Sequence, residues 1–386
     1  MSRTETDTDH GVRARPARDI RIDSLRGLML AEMMLVHCGS PIGRVSFEFF
    51  GRVSPAAGFV FLSGLVAGAV YSRTVEQGAA GIVRRSAWRA LYIHSYHLAV
   101  FVALLVVALI DSRAAAEFRF PIAHLQDALR LLGAFAVWAY QPVYFGVLPM
   151  YALFVLAMPA ALLALFRDRG RLMLLVSLGT WALAQAGLGR LAPGASPLGF
   201  FGHFNPFAWQ FVFFSGLFFG HMHLYRGRPV LAAHPALIVL CALVCVAGFT
   251  MRWHLLPWPS PFERGSWLAA KPEYGLLYLV NFLAFAYLVY CLALRAPRVF
   301  AWRPLAFLGR HSLQVFSFHI LALYLTLPLA RAAHDSPLMR NTLGAALVAS
   351  LFGAAWFHAH WPAMRQWLTK TRLRAAAAPD RLSPYS

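Results

Sequence analysis

Charged residues are scarce in this chain of 386 residues, where Asp, Glu, Lys and Arg together make up 13% of the sequence. Hydrophobic residues make up 59%, and the mean hydropathy is +0.57. A soluble domain of ordinary composition carries about twice this share of charge. The composition therefore excludes an ordinary soluble protein and predicts an all-α, polytopic membrane protein.

Acidic residues are scarcer than basic ones, with 16 Asp and Glu against 35 Lys and Arg, so the formal net charge is +19. Nucleic-acid binders share such an excess, but they interleave basic residues with base-stacking aromatics. No basic run of that kind occurs here. In membrane proteins, basic residues concentrate in short cytoplasmic loops that face anionic lipid. We therefore predict the lipid bilayer, and no nucleic acid, as a partner.

Cysteine is also rare, and the four cysteines form no redox or metal motif. They lie in or beside apolar segments, where a thiol behaves as a small core side chain. Two His-x-His pairs, at residues 221–223 and 358–360, invite comparison with metal sites. Residues two apart diverge on a helix, however, so neither pair is suited to hold one ion. We predict no metal and no tightly bound cofactor.

The chain shows no internal repeat, no coiled-coil heptad and no separate soluble domain. Residues 1–20 are polar and lack the apolar core and cleavage site of a signal peptide. We interpret them as a cytoplasmic N-terminal tail, residues 21–365 as one transmembrane domain, and residues 366–386 as a cytoplasmic C-terminal tail.

The transmembrane domain contains apolar runs of about 20 residues, the length that crosses a bilayer as a helix. An even number of spans places both termini on one side. With a cytoplasmic N-terminus, most of the basic residues then fall inside, as the positive-inside rule expects. About ten spans are predicted: 24–41, 55–72, 90–110, 144–165, 172–189, 207–224, 231–250, 274–294, 305–328 and 341–361.

The longest outer connection, residues 111–143, contains the sequence DALRLLGAFAVW. Its apolar residues follow helical spacing, and Arg130 lies on another face. This pattern predicts an amphipathic helix in the membrane interface. A short span that re-enters the membrane is the alternative.

Three ionisable residues lie inside the first predicted span: Arg26, Glu32 and His37. Eleven residues are almost three helical turns, so Arg26 and His37 share one face, about 16 Å apart along the axis. Ionisable side chains are costly at this depth, and they usually face a bundle interior or an aqueous cavity. All three are candidate catalytic residues, although Glu32 faces elsewhere, and we expect it to pair with a basic group on another helix. Asp23, at the inner boundary, is expected to cap the helix, to hold Arg26, or both.

The sequence RIDSLRG at residues 21–27, His37 eleven residues after Arg26, and VFLSG at residues 60–64 resemble the membrane-bound acyltransferase superfamily. Within it, the chain most resembles the OpgC type, named for a protein that succinylates osmoregulated periplasmic glucans. The stretches SPAAGFVFLSGLVAG, VLPMYALF, NPFAWQ and LGRHSLQVFSFH also fit this type. The resemblance implies a bacterial inner-membrane enzyme that transfers an acyl group from cytoplasmic acyl-coenzyme A to a hydroxyl of an extracytoplasmic glycan.

The resemblance also makes His37 the catalytic residue and Arg26 its charged partner. The chemistry agrees, because attack of a sugar hydroxyl on a thioester needs a base, and the ordinary pKa of imidazole, about 6.5, suits that role. His37 is either this base or a covalent carrier of the acyl group. Arg26 either binds a phosphate or an acyl carboxylate through its guanidinium fork, or extends to the inner headgroups.

A basic cluster at the cytoplasmic start of the third span suits the phosphates of coenzyme A, as does one arginine at the inner end of the ninth span. The positive-inside rule alone would also produce these residues. The superfamily's cytoplasmic Arg-x-x-Arg element is absent as such, because the arginines are spaced differently. The candidates for donor binding are Arg84, Arg85, Arg89, His94 and Arg310.

His319 lies deep in the ninth span with Gln314 nearby, which predicts either a polar tunnel shared with His37 or a packed core histidine. Aromatic faces and amides on the outer side suit sugar recognition, although interfacial aromatic belts use the same residue types. With His319, the candidates for acceptor binding are Tyr144, Tyr151, Asn205, Trp209 and Gln210.

These observations predict a membrane O-acyltransferase that moves a succinyl or acetyl group from acyl-coenzyme A to a periplasmic glucan or related polysaccharide. The alternative is a transporter or exporter, which would also bury Arg, Glu and His within a bundle. Transporters are often built from two related halves with Gly- or Pro-interrupted spans, and no such pairing is visible here. Affinity for coenzyme A distinguishes the two hypotheses. The sequence makes no prediction of oligomeric state.

Overall fold

The computed structural model describes residues 18–189, 204–262 and 266–376, and these residues form helices and loops with no strand. The predicted all-α class is therefore confirmed for this part of the chain. The helices are α1 (Ile20–His37), α2 (Pro41–Ser46), α3 (Pro55–Tyr71), α4 (Gly78–Ile110), α5 (Ser112–Phe118), α6 (Leu125–Ala136), α7 (Val147–Phe166), α8 (Gly170–Gln185), α9 (Pro206–Phe219), α10 (Pro235–Arg252), α11 (Leu276–Arg295), α12 (Arg303–Arg310), α13 (Ser312–Leu325), α14 (Leu327–Ala332) and α15 (Pro337–Ala376).

Each predicted apolar run overlaps one to three of these helices, but only part of the set has the properties of a membrane span. Six helices in the described ranges are long and apolar enough to cross a membrane. α1 carries four charged residues, and α8, α9 and α13 are shorter than these six. The chain is thus a membrane protein by composition, and the count of ten spans stays a prediction. The six segments are Pro55–Thr74, Gly78–Ile110, Val147–Phe166, Pro235–Arg252, Leu276–Arg295 and Pro337–Met364.

α1, which carries Arg26 and His37, packs most closely against α12. Gly27 lies against the Leu305 carbonyl, and Gly309 lies against the Asp23 carbonyl, so that a Cβ at either glycine would overlap with the facing backbone. Small residues of this kind allow helix backbones to approach closely within membranes. The contact fixes α1 relative to the segment that leads into α13.

The predicted ninth span is interrupted at His311, which separates α12 from α13. His311 has a non-helical backbone conformation, with φ −107° and ψ 28°. Ser312 begins α13 directly after the break and faces α1, whereas His311 faces α15. Because of this interruption, two polar residues that are adjacent in sequence contact two different helices, α1 and α15.

The outer connection folds into α5 and α6. α6 buries Ala128, Leu131 and Phe135 and leaves Arg130 exposed, as the helical spacing predicts. It is 12 residues long and packs against α4. The amphipathic helix is confirmed, and its position in the membrane interface stays a prediction.

Candidate functional site

Two histidines from different helices meet at the C-terminal end of α1. Nδ1 of His37, the last residue of α1, lies 3.0 Å from Nε2 of His319 in α13. His319 is 1% exposed, and His37 is half-buried. The predicted polar tunnel placed these two residues together, and the structure brings them into direct contact. One ring nitrogen must donate a hydrogen and the other must accept it.

Tyr144 covers the His37 ring, with the two ring centroids 4.3 Å apart. The backbone of Tyr144 is left-handed, with φ 72°, in the turn just before α7. Such a conformation costs a residue with a side chain on the order of 1 kcal/mol. α13 holds this turn as well, because the Tyr324 hydroxyl donates to the Val143 carbonyl oxygen at 3.0 Å. The acceptor candidate Tyr144 thus lies at the predicted catalytic histidine.

Arg26 is buried, and its guanidinium points into the helix bundle. Nη2 donates to the Ser312 hydroxyl at 2.5 Å, and the guanidinium carbon lies 5.8 Å from the centre of the Phe59 ring. Nε has no hydrogen-bond partner. Among the described residues, no carboxylate lies within ion-pair distance of Arg26. The side chain is therefore directed into the bundle rather than to the headgroups, and the charge of Asp23 acts on it from beyond ion-pair distance.

Asp23 does not have either of its expected roles. Asp19 caps α1 by accepting from the Arg21 backbone N–H, and Asp23 is 2% exposed in an ion pair with Arg18. Arg310 lies nearby, with its Nε 3.7 Å from the Asp23 carboxylate. The prediction that Asp23 caps the helix was wrong because Asp19 has that role. The prediction that Asp23 holds Arg26 was wrong because its carboxylate contacts Arg18 and lies near Arg310 instead.

The predicted donor-binding cluster lies on the first turns of α4, which begins at Gly78 rather than at residue 90. Arg84 and Arg85 are exposed, and Arg89 is half-buried against the Tyr92 ring. Arg89 is close enough to Arg26 for their charges to interact. Of this cluster, Arg89 is therefore the residue that the structure brings near the buried guanidinium.

His94 does not join this cluster. It lies further along α4, where its Nδ1 accepts a hydrogen bond from the Trp138 indole at 3.1 Å. Trp138 belongs to the segment between α6 and α7. The structure therefore ties His94 to the outer connection, and its role in donor binding has no support from this contact.

Glu32 lies on a different face of α1, about 140° from His37 by helical geometry. It borders an apolar cavity of about 820 Å³ between α1, α2, α3 and α11. Within the described part of the chain, no basic group pairs with Glu32, so the expected ion pair was wrong. The structure does not bring Glu32 to the histidine pair.

The remaining acceptor candidates divide into two groups. Tyr151 lies on α7 close enough to Arg26 for an electrostatic interaction, so it lies nearer to the Arg26 end of α1 than Tyr144 does. Asn205 caps α9, and Trp209 is fully buried with its indole bonded to the Pro272 carbonyl. Gln210 bonds to the side chain and carbonyl of Ser177. These last three side chains hold the fold together, and the structure does not bring them to His37.

Sequence reasoning missed a polar network beside the histidine pair. The Glu48 carboxylate is 1% exposed and accepts from Lys271 at 3.2 Å and from the Tyr278 hydroxyl at 3.0 Å. Lys271 is close enough to His37 for its charge to act on the imidazole. Both charged residues lie in connections between helices, where neither apolar spacing nor a motif marks them.

Comparison with known proteins assigns this chain to a protein family. The profile of the family described as OpgC protein matches residues 18–363, which is nearly the whole chain. A search of curated proteins gave no match. The matched range contains both α1 and α13, and hence Arg26, His37 and His319. The chain belongs to the OpgC family, and this membership points to an acyltransferase-like role in glucan modification at a membrane.

Proposed function

We propose that this protein is an O-acyltransferase of the bacterial inner membrane. It moves an acyl group, succinyl or acetyl, from cytoplasmic acyl-coenzyme A to hydroxyl groups of a periplasmic glucan. The observation that carries the proposal is the arrangement along α1. A buried guanidinium that forms no ion pair with any described residue lies eleven residues before a histidine that contacts a second, fully buried histidine.

The histidine supports acyl transfer because it can move a proton between acceptor and donor. His37 takes the proton of the sugar hydroxyl while the oxygen attacks the thioester carbonyl carbon. The C–S bond then breaks, and the proton passes from His37 to the departing sulfur, so that coenzyme A leaves as a thiol. In the covalent variant, a ring nitrogen of His37 attacks the thioester carbonyl, the C–S bond breaks and coenzyme A departs as the thiolate. The sugar hydroxyl then attacks the acyl-histidine, its proton passes to the thiolate, and neutral His37 is regenerated.

The position of Arg26 supports the thioester donor. About 16 Å of helix separates Arg26 from His37, which is comparable to the extended pantetheine arm between pyrophosphate and thioester. Arg26 would therefore contact the phosphate end while the thioester reaches His37. A succinyl carboxylate lies only a few bonds from its thioester carbon, so Arg26 is better placed for a phosphate than for that carboxylate.

The distribution of arginines supports the orientation. Arg18, Arg85, Arg89 and Arg310 all lie toward the Arg26 end of α1. Basic residues favour the cytoplasmic side of a membrane protein, and coenzyme A phosphates are found there. We therefore place this end, both termini and the donor phosphates in the cytoplasm, and His37 toward the periplasm, with ten spans in total.

The proposal is tested with purified protein in lipid nanodiscs. Succinyl- and acetyl-coenzyme A are supplied with and without a β-glucan oligosaccharide, thiol release is followed, and the mass of the glucan is measured. We expect glucan-stimulated thiol release from one donor, with the matching mass increase on the glucan, and its loss in His37→Ala. Absence of both thiol release and coenzyme A binding in the wild type would overturn the proposal and favour the transporter hypothesis.

A further inference from the structure

We infer that His319 is a positioning residue that selects the tautomer of His37, a role that rests on the acyltransferase function proposed above. In the contact between Nδ1 of His37 and Nε2 of His319, the shared hydrogen is bound either to His37 or to His319. Only one of these arrangements leaves His37 able to act on a substrate.

The two arrangements differ at Nε2 of His37. If His319 donates, neutral His37 must carry its own hydrogen on Nε2, and that atom has no lone pair to offer. If His37 donates from Nδ1, its Nε2 carries the lone pair that a base or a nucleophile needs. In the described part of the chain, Nε2 of His37 has no hydrogen-bond partner, and it is not fully covered by protein. It is therefore the atom available to a substrate.

The surroundings of His319 favour the second arrangement. The carbonyl of Phe316, three residues earlier in α13, lies near the His319 ring, and Nδ1 of His319 has no hydrogen-bond partner among the described residues. A carbonyl has no hydrogen to give, so it favours a hydrogen on Nδ1 of His319. Neutral His319 then presents Nε2 as an acceptor, and His37 must donate to it.

The same contact supports the protonated intermediate. When His37 takes the hydroxyl proton, both of its ring nitrogens carry hydrogens, and Nδ1 still donates to Nε2 of His319. His319 thus orients the ring before and after proton transfer without changing its own protonation. The third group of a catalytic triad has the same task toward its base.

The test compares His319→Leu, which removes the acceptor, with His319→Gln, whose side-chain carbonyl can accept from Nδ1 of His37. We expect His319→Leu to lower kcat about a hundredfold or more, with the KM for acyl-coenzyme A within about twofold of wild type. His319→Gln should recover at least about tenfold of that loss. His358→Leu is the matched control, because it breaks another contact between histidines and should leave kcat within about twofold of wild type.

A second measurement does not depend on any variant folding correctly at position 319. Solid-state NMR of ¹⁵N-histidine-labelled protein in lipid, assigned by the resonances lost in His37→Ala, should show His37 protonated at Nδ1 and bare at Nε2. A proton on Nε2 instead would overturn the inference, as would full activity of His319→Leu in an active preparation. If the wild type transfers no acyl group, the proposed function fails, and the NMR result still tests the tautomer.

Discussion

Two pairs of histidines, both formed with residues at or in α13, have nearly the same contact distance in different surroundings. His37 and His319 are 3.0 Å apart between ring nitrogens, and His311 and His358 are 2.8 Å apart. The first pair lies in the bundle with His319 1% exposed, under the ring of Tyr144. Both members of the second pair are half-buried, as His37 is, so only the first pair contains a fully buried histidine. The contact distance therefore does not show which pair is functional. The burial and the neighbouring residues of each pair have to be compared instead.

The two pairs also differ in which nitrogens they use. The second contact joins Nδ1 to Nδ1, and His358 borders an open, largely apolar cavity of about 610 Å³. The first joins Nδ1 to Nε2, so that the second nitrogen of His319 lies buried in the bundle while Nε2 of His37 stays open to a substrate. The second pair also leaves its Nε2 atoms without a partner among the described residues, so a free nitrogen is necessary for catalysis but does not by itself distinguish the pairs. Because the pairs differ in their burial and surroundings, removal of each pair should have different consequences.

The largest effect is expected from His37→Ala. Without the group that takes the hydroxyl proton, acyl transfer to glucan should fall about a thousandfold or more, because proton transfer and any covalent step are both lost. The same change at the second pair, His358→Ala, should leave transfer within about twofold of wild type. Thiol release and glucan mass, measured on both variants in nanodiscs, check this prediction. Equal losses in the two variants would remove the functional distinction between the pairs.

The next effect concerns the charged end of the same helix. Arg26→Ala should lower kcat/KM for acyl-coenzyme A by about ten- to a hundredfold, since a charge-assisted hydrogen bond contributes about 1.5–3 kcal/mol. The loss should appear mainly in KM, because Arg26 is expected to contact the donor phosphates rather than the reacting carbonyl. Arg26→Lys should recover only part of it, since an ammonium group lacks the fork of a guanidinium.

The control for Arg26 is Arg130→Gln on α6, where the arginine is exposed and remote from the site. Its kcat/KM should match that of wild type. A loss in Arg26→Ala that appears in kcat with KM unchanged would move Arg26 from donor binding to the chemical step.

A smaller effect is expected from substitutions of the glycines at the close contact between α1 and α12. Gly27→Ala places a methyl group against the Leu305 carbonyl, and Gly309→Ala places one against the Asp23 carbonyl. Overpacking of this kind costs about 1–3 kcal/mol, so each variant should have a lower thermal midpoint. Gly179→Ala on α8 is the matched control, because no atom lies within 4 Å of its added Cβ. That variant should be as stable as wild type or slightly more stable. Equal midpoints in all three variants would show that the α1 and α12 backbones are not in tight contact.

The helices could be predicted from apolar runs because a chain in a membrane must satisfy its backbone hydrogen bonds within each segment. Which helices meet could not be predicted in the same way. The sequence placed His37 and His319 at similar depths, and their contact needed the packing of α1 against α13. Asp23 was misassigned because its carboxylate pairs with Arg18, just before α1, and because Arg310, the second arginine near it, comes from far along the chain.

The acceptor candidates show a second limit of sequence reasoning. Tyr144, Trp209 and Gln210 have the same chemical suitability for a sugar, and composition cannot rank them. The structure separates them by whether their polar atoms are already used. Trp209 and Gln210 bond to neighbouring segments, whereas Tyr144 lies against His37 with a long contact of 3.5 Å from its hydroxyl to the His37 carbonyl oxygen. Spare hydrogen-bonding capacity is a property of packing.

The smallest effect is expected at an ion pair outside the membrane spans. This pair is exposed to solvent, whereas the first histidine pair lies in the bundle. Arg226 donates to Asp168 at 2.6 Å, and this hydrogen bond and charge hold the pKa of Asp168 below its usual range. A lowered carboxyl pKa stabilises the folded state above the unfolded-state pKa, about 4, and the contribution is lost as pH falls through the folded-state value.

Asp168→Asn is the cleanest variant for this test, because Asp168 has a left-handed backbone, with φ 55°, that asparagine also tolerates. Its thermal midpoint should lie slightly below that of wild type at neutral pH, and the two should converge once the pH is well below the ordinary aspartate value. The effect should be small, since solvent screens an exposed pair. Thermal unfolding in nanodiscs at several pH values checks this. A difference that grows on acidification would mean that Asp168 stabilises the fold in its protonated form, which its contact with Arg226 does not allow.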